Sequence, residues 1–207
     1  ESCAAGAGAA LREDVERVTC PVVLIDRLMQ CGWCDAVGFD NYLGGRLAAQ
    51  YLLEGGHKRI GIVTGDVAES SAADRRRGFV DAIEQAGERF DPALCVSGDY
   101  RFDGGYHAAD QIIDGGATAV FCCNDVMALG FRQRMAERGL HVTEDMQVIG
   151  YDNILRRFGL GLRMTTVEQS VVDLAAAGWG MLGSRIDAWY VAMAIPVRAV
   201  RGSPRRR

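Results

Sequence analysis

Two patterns of apolar and polar positions alternate along the chain. Short apolar or β-branched runs predict buried strands, and stretches in which apolar residues recur every three or four positions predict helices. The predicted strands cover 22–26, 35–39, 59–64, 93–97, 118–123 and 147–151, and helices are predicted from 41, over 74–85, 104–113 and 125–137. Strands alternating with helices of this length predict an α/β fold with doubly wound parallel sheets.

The alternation breaks after Asp152. An irregular segment, 154–164, precedes a run at 165–169, a further apolar helix over about 171–186 and a last strand at 197–201. Asp173, Arg185 and Asp187 interrupt the most apolar late stretch, 171–196. No membrane span is therefore predicted there.

Polar residues follow several predicted strands, where ligands bind in sheets of this kind. They are Asp26, Asp40 with Asn41, Asn124 with Asp125, and Asp152 with Asn153. Arg75 and Tyr100 add a guanidinium and an aromatic face, a combination that suits a polyhydroxylated or heterocyclic ligand. The alternative is structural, because these residues also suit helix caps, a turn and a solvated helix face. From composition and spacing alone, the structural interpretation is favoured at each position.

Composition and charge narrow the class of protein. With 49% hydrophobic and 24% charged residues among 207, the chain is typical of a soluble globular protein. The seven cysteines lie mostly inside apolar runs, and the start does not resemble a signal peptide, so cytoplasmic localisation is predicted. The net charge is −4 although the last seven residues hold four arginines. The rest of the chain is therefore more acidic than the net charge indicates. An acidic surface binds nucleic acid poorly, so contact with DNA would require another domain.

The sequence contains no complete motif for catalysis, for metal binding or for cofactor binding. Cys31-Gly-Trp-Cys34 lies between two predicted strands rather than at a helix start, and no second ligand pair completes a zinc site. The three histidines, His57, His107 and His141, are scattered, and there is no phosphate-binding loop or nucleophile elbow. The sequence therefore predicts no enzyme, no metal and no cofactor.

A series of segments in one order resembles the LacI/GalR family of bacterial transcription regulators. The segments are PVVLIDR (21–27), VGFDNYLGGRLAAQYLLEGGHKRIGIVTG (37–65), RRRGF (75–79), FCCNDVMALG (121–130), VIGYDN (148–153), TTVEQ (165–169) and PVRAVRGS (196–203). Such a series is far more specific than any single motif.

The resemblance implies a periplasmic-binding-protein-like effector core of two α/β subdomains. Residues 1–40 and 168–190 are expected to form a partial N-terminal subdomain, and residues 41–167 and 191–207 the C-terminal one. The family's helix-turn-helix headpiece and first two strand–helix units have no counterpart in this sequence. Unpaired sheet edges and uncovered apolar surface are therefore expected, with poor solubility or association of the isolated chain.

The resemblance also assigns roles. It carries effector-contacting or cleft-lining positions to Arg75, Asn124, Asp152, Tyr100, Gln169, Asp26 and Asp40. With the family included, ligand binding is favoured for the first three, while the structural and functional interpretations of the other four stay balanced. The implied function is a homodimeric regulator core that binds a sugar-like or nucleobase-like effector and meets DNA only through a headpiece. A solute-binding protein of a transport system remains the alternative.

Overall fold

The computed structural model describes residues 4–26, 33–154, 163–185, 192–195 and 197–200. The chain divides into two compact units, Glu1–Asp40 with Ser170–Pro196, and Asn41–Gln169 with Val197–Arg207. Cys31, most of the predicted irregular segment and the arginine-rich tail lie outside the described residues.

Helices and strands alternate through most of the described chain. The helices are α1 (Ala4–Arg17), α2 (Asn41–Glu54), α3 (Ser70–Gln85), α4 (Phe102–Asp114), α5 (Asp125–Glu137) and α6 (Val171–Ser184). The strands are β1 (Val23–Ile25), β2 (Asp35–Phe39), β3 (Ile60–Thr64), β4 (Cys95–Ser97), β5 (Ala119–Cys122), β6 (Gln147–Asp152), β7 (Thr165–Glu168), β8 (Ala192–Ile195) and β9 (Arg198–Val200).

The first unit contains a three-stranded parallel sheet in the order β1-β2-β8. Helix α6 approaches it through Gly178, where a Cβ would lie 3.3 Å from Cδ1 of Ile25 and 3.4 Å from Cγ1 of Val37. Nε of Arg185 pairs with the buried carboxylate of Asp35 at 3.0 Å. This nearly buried ion pair links the residue after α6 to the central strand.

The second unit contains a six-stranded sheet in the order β4-β3-β5-β6-β7-β9, parallel except for β9. The chain passes from β3 through α3 to one edge of the sheet, and from β4 through α4 back past β3. Because such crossovers are right-handed, α3 with its neighbour α2 covers one face, and α4 with α5 covers the other. Phe121 of β5 is fully buried, and its ring centroid lies 5.3 Å from that of Phe79 and 6.1 Å from that of Tyr151.

The α/β class with parallel sheets is confirmed, but the sequence placed two elements inaccurately and missed a third. Helix α3 begins at Ser70, four residues before the predicted start, because its first turn lacks the large apolar residues that mark a period. The strand predicted at 93–97 is shortened to β4, because Pro92–Leu94 forms a 3-10 turn whose Ala93 N–H is capped by Asp91. Strand β8 was not predicted. It pairs with β2 in the first unit, whereas the sequence interpretation assigned 191–207 to the other subdomain.

Candidate functional site

The carboxyl ends of β3 and β5 form a topological switch point in the sheet of the second unit. These strands are neighbours, but the chain leaves β3 toward α3 on one face and β5 toward α5 on the opposite face. The two connections diverge at that edge, and a crevice at such a switch point is where open α/β sheets bind ligands. The sequence predicts five site residues in this unit. Arg75 lies on α3, and Asp152 is the last residue of β6. The other three follow the ends of β4, β5 and β7, and they are Tyr100, Asn124 and Gln169.

Arg75 is the centre of the arrangement. It projects from α3 and is only 7% exposed, although Arg76 and Arg77 beside it are solvent-exposed. Its Nε donates to Oδ1 of Asn41 at 2.8 Å, and its Nη1 donates to the carbonyl oxygen of Cys123 at 2.6 Å. The guanidinium is therefore tied both to the start of α2 and to the end of β5.

Two aromatic rings flank the Arg75 guanidinium. Its carbon lies 3.8 Å from the ring centroid of Tyr151 and 5.9 Å from that of Tyr100. The closer contact is a desolvated cation–π interaction, which is worth up to about 2 kcal/mol. Tyr151 sits against Gly44 of α2, where any Cβ would overlap its hydroxyl, so a glycine is needed to admit the ring.

Gln169 connects Arg75 to Asp152. In the amide orientation that satisfies both neighbours, its oxygen accepts from Nη2 of Arg75 at 3.2 Å and its nitrogen donates to Oδ1 of Asp152 at 3.1 Å. The positive and negative groups are thus bridged by a neutral amide. Arg75, Gln169 and Asp152 therefore form a hydrogen-bonding edge, with the N–H donors of Arg75 at one end and the carboxylate of Asp152 at the other.

Burial and neighbouring charge shape the ionisation of this edge. Burial opposes the charge of Arg75, but the surrounding groups, led by Tyr151 and Asp152, outweigh it and raise the Arg75 pKa. Burial likewise raises the pKa of Tyr151, and it raises the pKa of the Cys123 thiol to about 12. Arg75 is therefore cationic at neutral pH, and Cys123 is a neutral thiol without nucleophilic character.

Backbone strain concentrates at the strand ends of the site. Tyr100 has φ of +59° and Asp99 has +51°, while Asp152 and Asn153 have +98° and +59°. A left-handed conformation costs such residues on the order of 1–3 kcal/mol each, and it persists where the surrounding structure enforces it. Two of the predicted site residues, Tyr100 and Asp152, are thus held in conformations that their side chains disfavour.

The adjacent residues Asn124 and Asp125 have separate roles. Asn124 caps α5, its Oδ1 accepting from the N–H of Met127 at 2.8 Å, and its Nδ2 donates to the carbonyl oxygen of Tyr100 at 3.0 Å. Asp125 is fully buried and accepts from the hydroxyl of Thr166 and the N–H of Ile154, both at 2.7 Å. Asn124 therefore belongs to the site edge, and Asp125 belongs to the interior.

The remaining predicted residues, Asp26 and Asp40, belong to the first unit. Asp26 follows β1, has φ of +66°, and its N–H donates to the carbonyl oxygen of Val37 at 2.8 Å. Asp40 is half-buried and directly precedes α2. Each therefore lies at the carboxyl end of a strand, as its sequence position indicated.

Sequence reasoning missed two members of the site. Tyr151 lies inside an apolar strand, where its sequence position indicates only a core residue, yet its ring supports Arg75. Gly65 directly follows β3, and a Cβ there would overlap the ring of Tyr100. A glycine directly after a predicted strand was the one available signal for such a close approach.

The described residues show neither a metal cluster nor a membrane-spanning helix. In the described ranges, no group of three or more histidine, cysteine, aspartate or glutamate side chains could hold a metal ion. Among the described helices, none has the length and apolar character required to span a bilayer.

The fold and the polar strand-end edge define a protein of the periplasmic-binding type, and comparisons with known proteins agree. The family described as periplasmic binding protein-like domain matches residues 49–199. The chain belongs to this family, and the relatives found are LacI-family regulators. The resemblance seen in the sequence is therefore confirmed.

Relatives and solved structures give the extent of the likeness. The chain is 38% identical over 169 residues to the HTH-type transcriptional repressor PurR of Pasteurella multocida (strain Pm70), covering 81% of this chain and 51% of the repressor. It thus spans about half the length of the relatives it matches. A LacI family transcriptional regulator from Enterococcus faecium with bound ribose superimposes with a TM-score of 0.86 and 28% identity, covering 96% and 75% of the two chains. A transcriptional regulator CelR–cellobiose complex gives a TM-score of 0.72 and 28% identity, over 81% and 53%.

Proposed function

We propose that this chain is the effector-binding and dimerisation core of a LacI-type bacterial transcriptional regulator. The observation that carries the proposal is the buried Arg75, which lies between two tyrosine rings at the switch point of the parallel sheet. A buried guanidinium is costly unless it is paired and hydrogen-bonded, because the cation loses its hydration. The contacts of Arg75 keep the cation at the switch point, and this placement supports ligand binding there.

The ligand of this proposal is sugar-like or nucleobase-like. A guanidinium has five N–H donors, and hydrogen bonds to Asn41, Cys123 and Gln169 account for three of them within the described residues. Asp152 supplies an acceptor for hydroxyl or ring N–H groups, and Tyr100 supplies a flat apolar face. The ribose and cellobiose bound by the two structural neighbours are polyhydroxylated ligands of this kind.

In the proposed mechanism, the ligand changes DNA binding by the intact regulator. A ligand can do so only if it prefers one arrangement of the regulator over another, and such couplings usually amount to about 1–3 kcal/mol. Asp26 and Asp40 are proposed ligand-contacting residues of the first unit. The regulator would act as a cytoplasmic homodimer, would meet DNA through a headpiece, and would catalyse no reaction.

A thermal-shift panel tests ligand binding. The panel contains D-ribose, cellobiose, adenine and adenosine, each added to the full 207-residue chain. A ligand at one hundred times its Kd stabilises the folded state by about 2.7 kcal/mol, which corresponds to a rise in Tm of roughly 5 °C or more in a unit of this size. Absence of any shift across this panel and a wider set of sugars and nucleosides would overturn the proposal.

A matched pair of variants assigns the binding to the site. Arg75→Lys retains the charge but loses the planar fork, so we expect affinity to fall at least about tenfold. Arg77→Lys changes an exposed arginine on the same helix, whose only described ion pair is with Asp74, and should leave affinity unchanged. Equal effects of the two substitutions would place the ligand elsewhere.

DNA binding separates a regulator from a transport protein of the same fold. With the regulator at its full genomic length, the ligand found in the panel should change the mobility shift of a DNA fragment from its own promoter region. Ligand binding without any effect on DNA binding would favour a solute-binding role instead.

A further inference from the structure

We infer that the solvent-facing side of helix α6 pairs with the same side of a second copy of this chain, in an antiparallel arrangement. Four exposed residues, spaced by four, three and four positions, lie along the middle of that side, and they form the α6 face: Val172, Ala176, Trp179 and Gly183. Neither an effector nor DNA takes part in this contact. The inference therefore goes beyond the proposed function, and its failure leaves the proposed ligand binding standing.

Helix α6 is apolar on both of its sides. On the inner side, Leu174 and Gly178 are buried, and Gly178 faces the sheet of the first unit. On the outer side, the side chains of Val172 and Trp179 are 78% and 77% exposed. A surface helix of a globular protein normally carries polar residues there, and a contiguous exposed apolar patch marks an interaction site.

Charge narrows the choice of partner. Asp173 is the only charged residue of α6, so the helix offers nothing that would attract nucleic acid or an acidic peptide. Helices that lie on membrane surfaces carry Lys and Arg on their polar side, and α6 contains neither. The α6 face therefore fits another uncharged apolar protein surface, and the same face of a second copy is one.

The α6 face is complementary to itself in size, because large and small residues alternate along it. In an antiparallel pair with its twofold axis between positions 177 and 178, position 172 faces position 183, and position 176 faces position 179. Each large side chain then meets a small residue of the second copy, as in the packing of ridges into grooves. A Cβ on Gly183 would meet no described atom within 4 Å, so the space opposite Val172 is open.

The antiparallel direction follows from Asp173. In a parallel pair the two Asp173 carboxylates would lie side by side and repel each other. In the antiparallel pair they lie nine residues apart along the helix axis, or about 13 Å. That separation exceeds the screening length of about 8 Å at physiological ionic strength.

The size of the contact indicates a weak dimer. Helix α6 has 14 residues and is about 21 Å long. Burial of an aromatic side chain such as Trp179 covers about 150–250 Å². One such helix pair buries less than the roughly 800 Å² per partner of a standard interface. We therefore expect a Kd on the order of 10–100 μM.

Sedimentation velocity of the full 207-residue chain, from about 1 to about 200 μM, measures this Kd. Trp179→Glu places a carboxylate in the contact and should raise the Kd at least about tenfold. Val67→Glu is the matched control, because Val67 is an exposed apolar residue of the second unit, and it should leave the Kd unchanged. A dimer that forms equally well with Trp179→Glu would overturn the inference.

Ala176→Trp separates a specific pair from general adhesion. This substitution makes the α6 face more apolar, but it fills the space that Trp179 of the second copy needs. Specific pairing predicts that the Kd rises at least about tenfold, whereas general adhesion predicts tighter association. Unchanged or tighter association contradicts the inference. A chain that stays monomeric over the whole range but cosediments with phosphatidylcholine–phosphatidylglycerol vesicles contradicts it too, because the α6 face would then bind lipid.

A double variant tests the direction of the helices. Val172→Glu and Gly183→Lys, combined in one chain, place an acid opposite a base at both ends of the antiparallel pair. At low salt the double variant should associate more tightly than either single variant, and added salt should remove that gain. In a parallel pair the like charges would face each other, so weaker association of the double variant than of both single variants refutes the antiparallel arrangement. Far-UV circular dichroism of each variant at the dilute end of the range controls for folding.

Discussion

Replacement of Asp125 by alanine should destabilise the second unit strongly. The carboxylate is fully buried, with Oδ1 accepting from the Thr166 hydroxyl and Oδ2 from the Ile154 N–H, both at 2.7 Å. It fills space beside Gly150, where a Cβ would overlap Oδ1. The substitution therefore removes two short bonds to a charged acceptor and leaves two donors without that acceptor.

The magnitude follows from these contacts. Hydrogen bonds to charged groups are worth about 1.5–3 kcal/mol each, and release of the buried carboxylate from its desolvation penalty returns part of the sum. We expect a net loss of roughly 3 kcal/mol in the free energy of unfolding. Asp125→Asn keeps one acceptor oxygen and should cost about half as much.

Urea unfolding followed by tyrosine fluorescence measures the effect. The tyrosines at 42, 51, 100, 106 and 151 lie in the second unit, whereas Trp33 and Trp179 lie in the first. Asp103→Ala is the control, because Asp103 is an exposed acid in the first turn of α4. That change should cost only the interaction with the helix dipole, about 0.3–1 kcal/mol. A loss for Asp125→Ala no larger than for Asp103→Ala would refute the reasoning.

Two further predictions concern packing and pH. A Cβ on Gly45 would overlap the carbonyl oxygen of Arg75, so Gly45→Ala should lower the free energy of unfolding by about 1–3 kcal/mol. Gly180 has open space around it, so Gly180→Ala should not lower the free energy of unfolding, and urea unfolding compares the two variants. The hydrogen bond from Arg134, with its charge, lowers the pKa of Asp110. This contribution is present above the unfolded pKa of about 3.9 and is lost as pH falls through the folded pKa. The Tm difference between the wild-type chain and Asp110→Asn should therefore shrink between about pH 5 and pH 2, and a constant difference would contradict it.

The exposed arginines beside Arg75 show the limit of the helix period, although the family resemblance had singled out Arg75. Arg75, Arg76 and Arg77 are identical in type, and a helix period alone does not say which of them turns inward. Their helix fits against α2 because Gly45 and Gly78 allow close approach of the two backbones. That contact sets the rotation of α3, and with it the burial of Arg75 alone among the three.

The backbone conformation of Tyr100 could not be predicted from local conformational preference, because contacts with groups distant along the chain set it. An aromatic residue disfavours positive φ, so no propensity argument anticipates this backbone. The conformation is enforced by distant groups, the glycine at position 65 and the amide of Asn124. Departures from local rules of this kind are expected where a fold builds a functional site.

The sequence by itself determined the alternation of strands and helices, the parallel α/β class, and the presence of polar residues at the strand ends. These follow from hydrophobic period and from the position of each residue relative to a strand, both of which are local. Only the tertiary structure decided that Asn124 caps α5 and bonds to Tyr100 while Asp125 enters the core, that Tyr151 supports Arg75, and that β8 pairs with β2. Each of these depends on groups that are distant along the chain, and no local pattern encodes such contacts.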